Sequence, residues 1–170
     1  MRIRALVFAF ALVFGTNPHG AVAEPPFAAF ALRPVPLGPL ALSVGPAREL
    51  AAERLGHAAC RGIFEELPDF TGRPVARRLE AGDRSPSSHF ARLRFLESAD
   101  GPCGKNIVAA WSVAGDPRVR VCPRVFSMVA GHDRREAAAI LIHEALHTLG
   151  VAEDAAGGPL TPYVRRRCGL

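Results

Sequence analysis

The stretch LIHEALHTLGVAED, residues 141–154, sets two histidines four positions apart, a glutamate directly after the first, and a glycine three positions after the second. It closes the longest regular pattern in the chain. Asp133 stands where a helix N-cap belongs, and Glu136 follows at capping-box spacing. RREAAAILIHEALHTL then continues for about four turns, and Gly150 is placed to stop them. On this helix Ala138, Leu141, Ile142, Ala145, Leu146 and Leu149 share one broad side. His143 and His147 lie together on another, and Glu144 points about 100° away from His143.

Residues four apart on a helix hold their Cβ atoms about 6 Å apart. Two imidazoles at that spacing converge on one tetrahedral zinc ion, and Glu144 can reach a water on that ion, the arrangement of H-E-x-x-H. A catalytic zinc needs a third protein ligand and one open position. If the chain doubles back at Gly150, Glu153 comes under the metal, with Asp154 beside it. No histidine or acidic residue follows Asp154 in the sequence. The third ligand is therefore Glu153, Asp154 or something upstream, and Glu153 is preferred.

The chain has 170 residues and a formal net charge of +5. Residues 1–23 read as a signal peptide. Arg2 and Arg4 make a positive start, Ala5–Phe14 an apolar run too short to span a bilayer, and Ala21-Val22-Ala23 a small-x-small cleavage site. The mature chain is expected to begin near Glu24, with a charge of about +3. No later run is long and apolar enough to span a membrane. The protein is thus expected to be secreted or periplasmic, with no stable membrane insertion. Arginines are scattered and Lys105 is the only lysine. No aromatic residues interleave with the short basic runs, which argues against a nucleic-acid partner. Cys60, Cys103, Cys122 and Cys168 form an even set in an exported chain and suggest two disulfides, with three pairings open.

Residues 24–46 contain Pro25, Pro26, Pro34, Pro36, Pro39 and Pro46 and are expected to form an extended segment. From Pro46 a helical pattern runs through Leu50, Leu55, Ala59 and Ile63 to Leu67, where Pro68 ends it. Three strands are expected next: 90–97 and 118–126 from their alternation, and 106–113 from its apolar run. Pro123 marks 118–126 as an edge strand or a bulge. Tyr163 is the only tyrosine and Trp111 the only tryptophan. A packed role is preferred for each over an oxyanion donor and a substrate platform. His132 reads as a polar loop residue, His57 and His89 as ordinary helix and strand-edge residues.

HEALHTLGVAE resembles the zincin group of metallopeptidases through H-E-x-x-H-x-x-G-x-x-E, a variant of the metzincin motif with Glu153 where that group has histidine or aspartate. A closer resemblance is to a little-characterised set of small secreted bacterial proteins with a HEALHTLGLGE-type motif and a tail of the form T…V…RC. Here that text is Leu141–Glu153, then Thr161, Val164, Arg167 and Cys168. CRGIFEEL (60–67), RVRVCPRVF (118–126) and Cys103 extend it more loosely. The methionine turn of metzincins is missing, because Met128 precedes the helix.

The expected architecture is therefore α+β over residues 47–170, zincin-like and disulfide-bonded, with a small, mainly antiparallel sheet on two main helices. The expected function is zinc-dependent hydrolysis of peptide or protein substrates, with one zinc per chain on His143, His147 and Glu153. Glu144 is the general base. An extended peptide is expected along the edge strand 118–126. The rival readings are a zinc-binding module without turnover, and an envelope binding protein whose histidines are merely polar surface.

Overall fold

The computed structural model describes residues 38–170. The expected signal segment 1–23 and residues 24–37 of the proline-rich stretch lie outside the described residues. Within them the fold is α+β, built around one central helix, α7 (Arg134–Thr148). Asp133 caps it, its Oδ1 accepting from the amides of Arg135 at 2.8 Å and Glu136 at 3.3 Å. The reciprocal half of a capping box is not made. Asp133 N–H donates to the Val129 carbonyl instead, and the Glu136 carboxylate turns to Arg165.

The broad apolar side expected of α7 is wider than the wheel suggests. Ala137, Ala138, Ala139, Leu141, Ile142, Ala145 and Leu146 are all fully buried. A helix that is apolar nearly all round has to be covered nearly all round. Three helices and the sheet do so: α1 (Pro39–Leu55), α6 (Pro123–His132), α8 (Leu160–Cys168) and strand β2 (Ala110–Ser112). A partly open strip remains at Ile140, His143 and His147.

The expected boundary at residue 46 does not hold. α1 begins at Pro39, inside the proline-rich stretch, and buries Leu40 and Val44. Proline is well suited to a first helical turn, so Pro39 starts the helix. Pro46 lies within α1 and withholds a donor from the Leu42 carbonyl. Leu42 is exposed, so water can take that place. The helix expected to run to Leu67 breaks at Gly56, and two short helices follow, α2 (Ala58–Arg61) and α3 (Ile63–Glu66).

All three strands are shorter than expected, and two lose residues to helices. A further helix, α4 (Ala76–Ala81), precedes α5 (Pro86–Arg92), which takes the first part of the 90–97 stretch. Ser85 and Ser88 form a reciprocal capping box and Pro86 occupies the first turn, a helix start strong enough to override the alternation. β1 is left with Arg94–Glu97. β3 is Arg118–Val121, because Pro123 opens α6 rather than marking a bulge.

The sheet is mixed rather than mainly antiparallel. In the order β1-β3-β2, β1 pairs with β3 in parallel and β2 pairs with it antiparallel. β3 is therefore the central strand, and the expectation of an open edge along 118–126 is overturned. β2 is an edge strand, and it is the one packed on α7 beside the histidines. Both expected disulfides are present. Cys60–Cys168 ties α2 to α8, and Cys103–Cys122 ties the 3-10 turn Gly101–Lys105 to the end of β3. No helix among the described residues is long and apolar enough to cross a membrane.

Candidate metal centre

The turn after α7 brings the third carboxylate to the two imidazoles. Leu149 ends the helix, and Gly150 follows with φ +93°, a conformation that side chains disfavour. A Cβ on Gly150 would lie 2.7 Å from the Phe70 ring, so glycine is required twice over. The chain reverses, and Val151 forms a β-bridge with Asp69. Asp69 is fixed in turn by Thr71, the Arg73 amide and the Arg78 guanidinium, bonds that hold its carboxyl well below the usual range.

Glu153 Oε2 then lies 3.2 Å from His143 Nε2 and 3.3 Å from His147 Nε2, and the two Nε2 atoms are 2.7 Å apart. Among the described residues these three form a group whose donor atoms lie close enough together to hold a metal ion. Asp154, the neighbouring candidate, is exposed and is not part of it.

Hydrogen bonds behind the triangle decide which atoms face it. His147 Nδ1 is 2.7 Å from the Val151 carbonyl oxygen. A carbonyl only accepts, so Nδ1 carries the proton and the Nε2 lone pair is left for the centre. His143 Nδ1 is 2.8 Å from Thr161 Oγ1 on α8. Glu153 Oε1 accepts the Leu160 amide at the start of α8, at 3.3 Å, which leaves Oε2 toward the imidazoles. Burial holds the His143 pKa down to about 4, helped by the His147 charge and opposed by Glu153. A metal-ligating imidazole must be neutral, so this environment favours the competent form. Two imidazole nitrogens and one carboxylate oxygen, with the remaining side open to a cleft, fit the donor set of a catalytic zinc.

Glu144 comes to the same place from the sheet side. Its side chain is buried, and Ser112 Oγ on β2 donates to Oε2 at 2.7 Å. Oε1 is left 4.0 Å from His143 Nε2. Burial pushes the Glu144 pKa up, and the Ser112 hydrogen bond works against that.

The cleft over these groups has a volume of about 490 Å³, and Val108–Ser112 form one wall, with Ile140 and Glu136 continuing along α7. Ala110 faces Val121 and Ser112 faces Val119 across the sheet, while Cys122 N–H donates to the Ala109 carbonyl. Alternation along an antiparallel pair then turns the backbone groups of Trp111 toward β3 and those of Ala110 and Ser112 away from it, to the open edge. Trp111 is only half-buried; its ring packs under the Arg120 guanidinium at 4.5 Å and lines the cleft, so it is not the core residue expected.

Other residues fall elsewhere. Tyr163 O–H donates to Glu66 Oε2 at 2.6 Å, a packed role and not an oxyanion donor. His132 is exposed at the end of α6. His89 is more than an ordinary polar residue: it is buried in α5, with Nε2 2.8 Å from Thr148 Oγ1, next to His147.

Sequence reasoning missed Ser112 and the Val151 carbonyl. A serine in a strand carries no signal of its own, and a backbone acceptor carries none at all. Thr161 appeared only as part of the tail motif. No known protein family, curated protein or solved structure matches this chain.

Proposed function

We propose that this protein is a secreted zinc-dependent peptidase of zincin-like design, acting on extended peptide segments. The observation that carries the reading is the meeting of His143, His147 and Glu153 at 2.7–3.3 Å, with Glu144 Oε1 4.0 Å from His143 Nε2. His143, His147 and Glu153 would hold the ion. Bound zinc supplies Lewis acidity, which polarises a scissile carbonyl and makes water easier to deprotonate.

The chain's own residues do the rest. Glu144 Oε1 takes the proton from the attacking water and passes it to the leaving amine nitrogen. Burial suits Glu144 to that work by raising its proton affinity, and Ser112 keeps Oε2 engaged so that Oε1 faces the cleft. The outward backbone groups of Ala110 and Ser112 pair with an extended peptide as an added strand, setting its carbonyl over the ligand group. Export agrees with the signal-like residues 1–23 and with both disulfides.

The depth of Glu144, 4 % exposed, favours a second reading, a zinc-holding domain without turnover. One experiment separates them. Zinc is measured on the purified mature protein, and a peptide library is digested by wild type and Glu144→Gln. The peptidase reading expects about one zinc per chain in both, with cleavage by the wild type alone. Zinc without cleavage in either protein selects the second reading, and absence of zinc removes both.

A further inference from the structure

Helix α8 supplies one hydrogen bond to each of two ligands, and neither comes from α7 or its following turn. Thr161 Oγ1 lies 2.8 Å from His143 Nδ1 and accepts its N–H in the tautomer that leaves Nε2 for a metal, and the Leu160 amide donates to Glu153 Oε1 at 3.3 Å. We propose that α8 is a clamp for the metal centre, in which Thr161 is the positioning residue for His143 and the Cys60–Cys168 bond sets zinc affinity from a distance. This rests on the zinc reading above and concerns how the site is held.

Three anchors fix α8. Cys168, at its last turn, is bonded to Cys60 on α2, a closure across a sequence separation of 108 residues. Tyr163 and Arg167 both bond the Glu66 carboxylate on α3. Arg165 reaches back to α7, with Nη1 2.7 Å from Glu136 and Nη2 3.2 Å from Asp133. Leu160 and Val164 are fully buried against the core. The first turn of α8, which carries both contacts to the ligands, is thus located by bonds made further along the helix.

The physical consequence follows from the bond to Thr161. An imidazole whose Nδ1–H has a fixed acceptor keeps its Nε2 lone pair aimed and its tautomer set. Losing such an outer bond typically weakens metal binding about 10- to 100-fold. Valine matches threonine in shape but leaves the Nδ1–H without its acceptor; serine keeps the acceptor.

The test is zinc affinity of the purified mature protein, measured by competition with a chromophoric chelator, alongside the melting temperature of the metal-free form. Thr161→Val should bind zinc at least tenfold more weakly, with the metal-free melting temperature close to wild type. Thr161→Ser should restore affinity. Cys60→Ser/Cys168→Ser should also weaken zinc binding, although neither cysteine contacts a ligand. If the double variant does not fold, the threonine series decides. Wild-type affinity in Thr161→Val, or no rescue by serine, overturns the clamp while leaving the zinc reading standing. A wild-type protein that binds no zinc overturns both.

Discussion

Ser112 on the edge strand and Glu144 on the central helix share a hydrogen bond of 2.7 Å, and the same serine hydroxyl lies 3.0 Å from the Glu144 carbonyl. One side chain thereby locks the sheet edge to the proposed general base. The bond favours the ionised carboxylate against the burial that opposes it. Ser112→Ala should therefore raise the Glu144 pKa further. The acid limb of the kcat/KM profile should move to higher pH, and kcat at neutral pH should fall about tenfold, the scale of one hydrogen bond to a charged group. Zinc content should not change. An unmoved acid limb would remove Glu144 as the base.

The turn that delivers Glu153 depends on Gly150. Alanine there meets both a positive φ and the Phe70 ring. Gly150→Ala should cost about 1–3 kcal/mol of stability and weaken zinc binding. Adding Phe70→Ala should recover the steric part and not the backbone part. Urea unfolding of the single and double variants measures both.

His89 makes stability dependent on pH. Burial first, then the charges of Arg84 and Arg92, lower its pKa from 6.5 to about 4 in the folded protein. The folded value lies below the unfolded one, so protonation favours unfolding. The stability that this neutral imidazole contributes is present above pH 6.5 and is lost as pH falls toward 4. The loss amounts to roughly 3 kcal/mol. His89→Gln should unfold with a flatter pH dependence across that window. Chemical denaturation of both proteins at several pH values gives the difference, and parallel curves would refute the assignment.

Asp133 has two roles that one substitution pair can separate. It caps α7 through Oδ1 and binds Arg165 through Oδ2. Asp133→Ala should cost about 1 kcal/mol, as loss of a cap does. Asp133→Asn keeps a capping oxygen and should recover most of that. Thermal melts decide, and equal melting temperatures for the two variants would assign the effect to the ion pair instead.

The meeting of His143, His147 and Glu153, the capped helix that carries the two histidines and the stop at Gly150 were legible in the sequence, because each depends on residues close along the chain. Spacing i, i+4 alone puts His143 and His147 on one face, and glycine alone permits the reversal that returns Glu153. The even cysteine count likewise pointed to two disulfides. The strand order was not legible. Alternation marks 118–126 as a strand, of which 118–121 forms one, but says nothing of its neighbours, and its central place follows from β1 and β2 pairing on either side. Local helix starts, the Ser85 capping box and Pro123 in the first turn of α6, override alternation at 90–92 and 123–126. Only the tertiary structure selected Cys60–Cys168 and Cys103–Cys122 from three pairings, placed Ser112 against Glu144, and set Thr161 behind His143. Those contacts join residues 18 to 108 positions apart. What chooses them is the packing of α8 and β2 on α7, a property of the whole core that no short stretch of sequence contains.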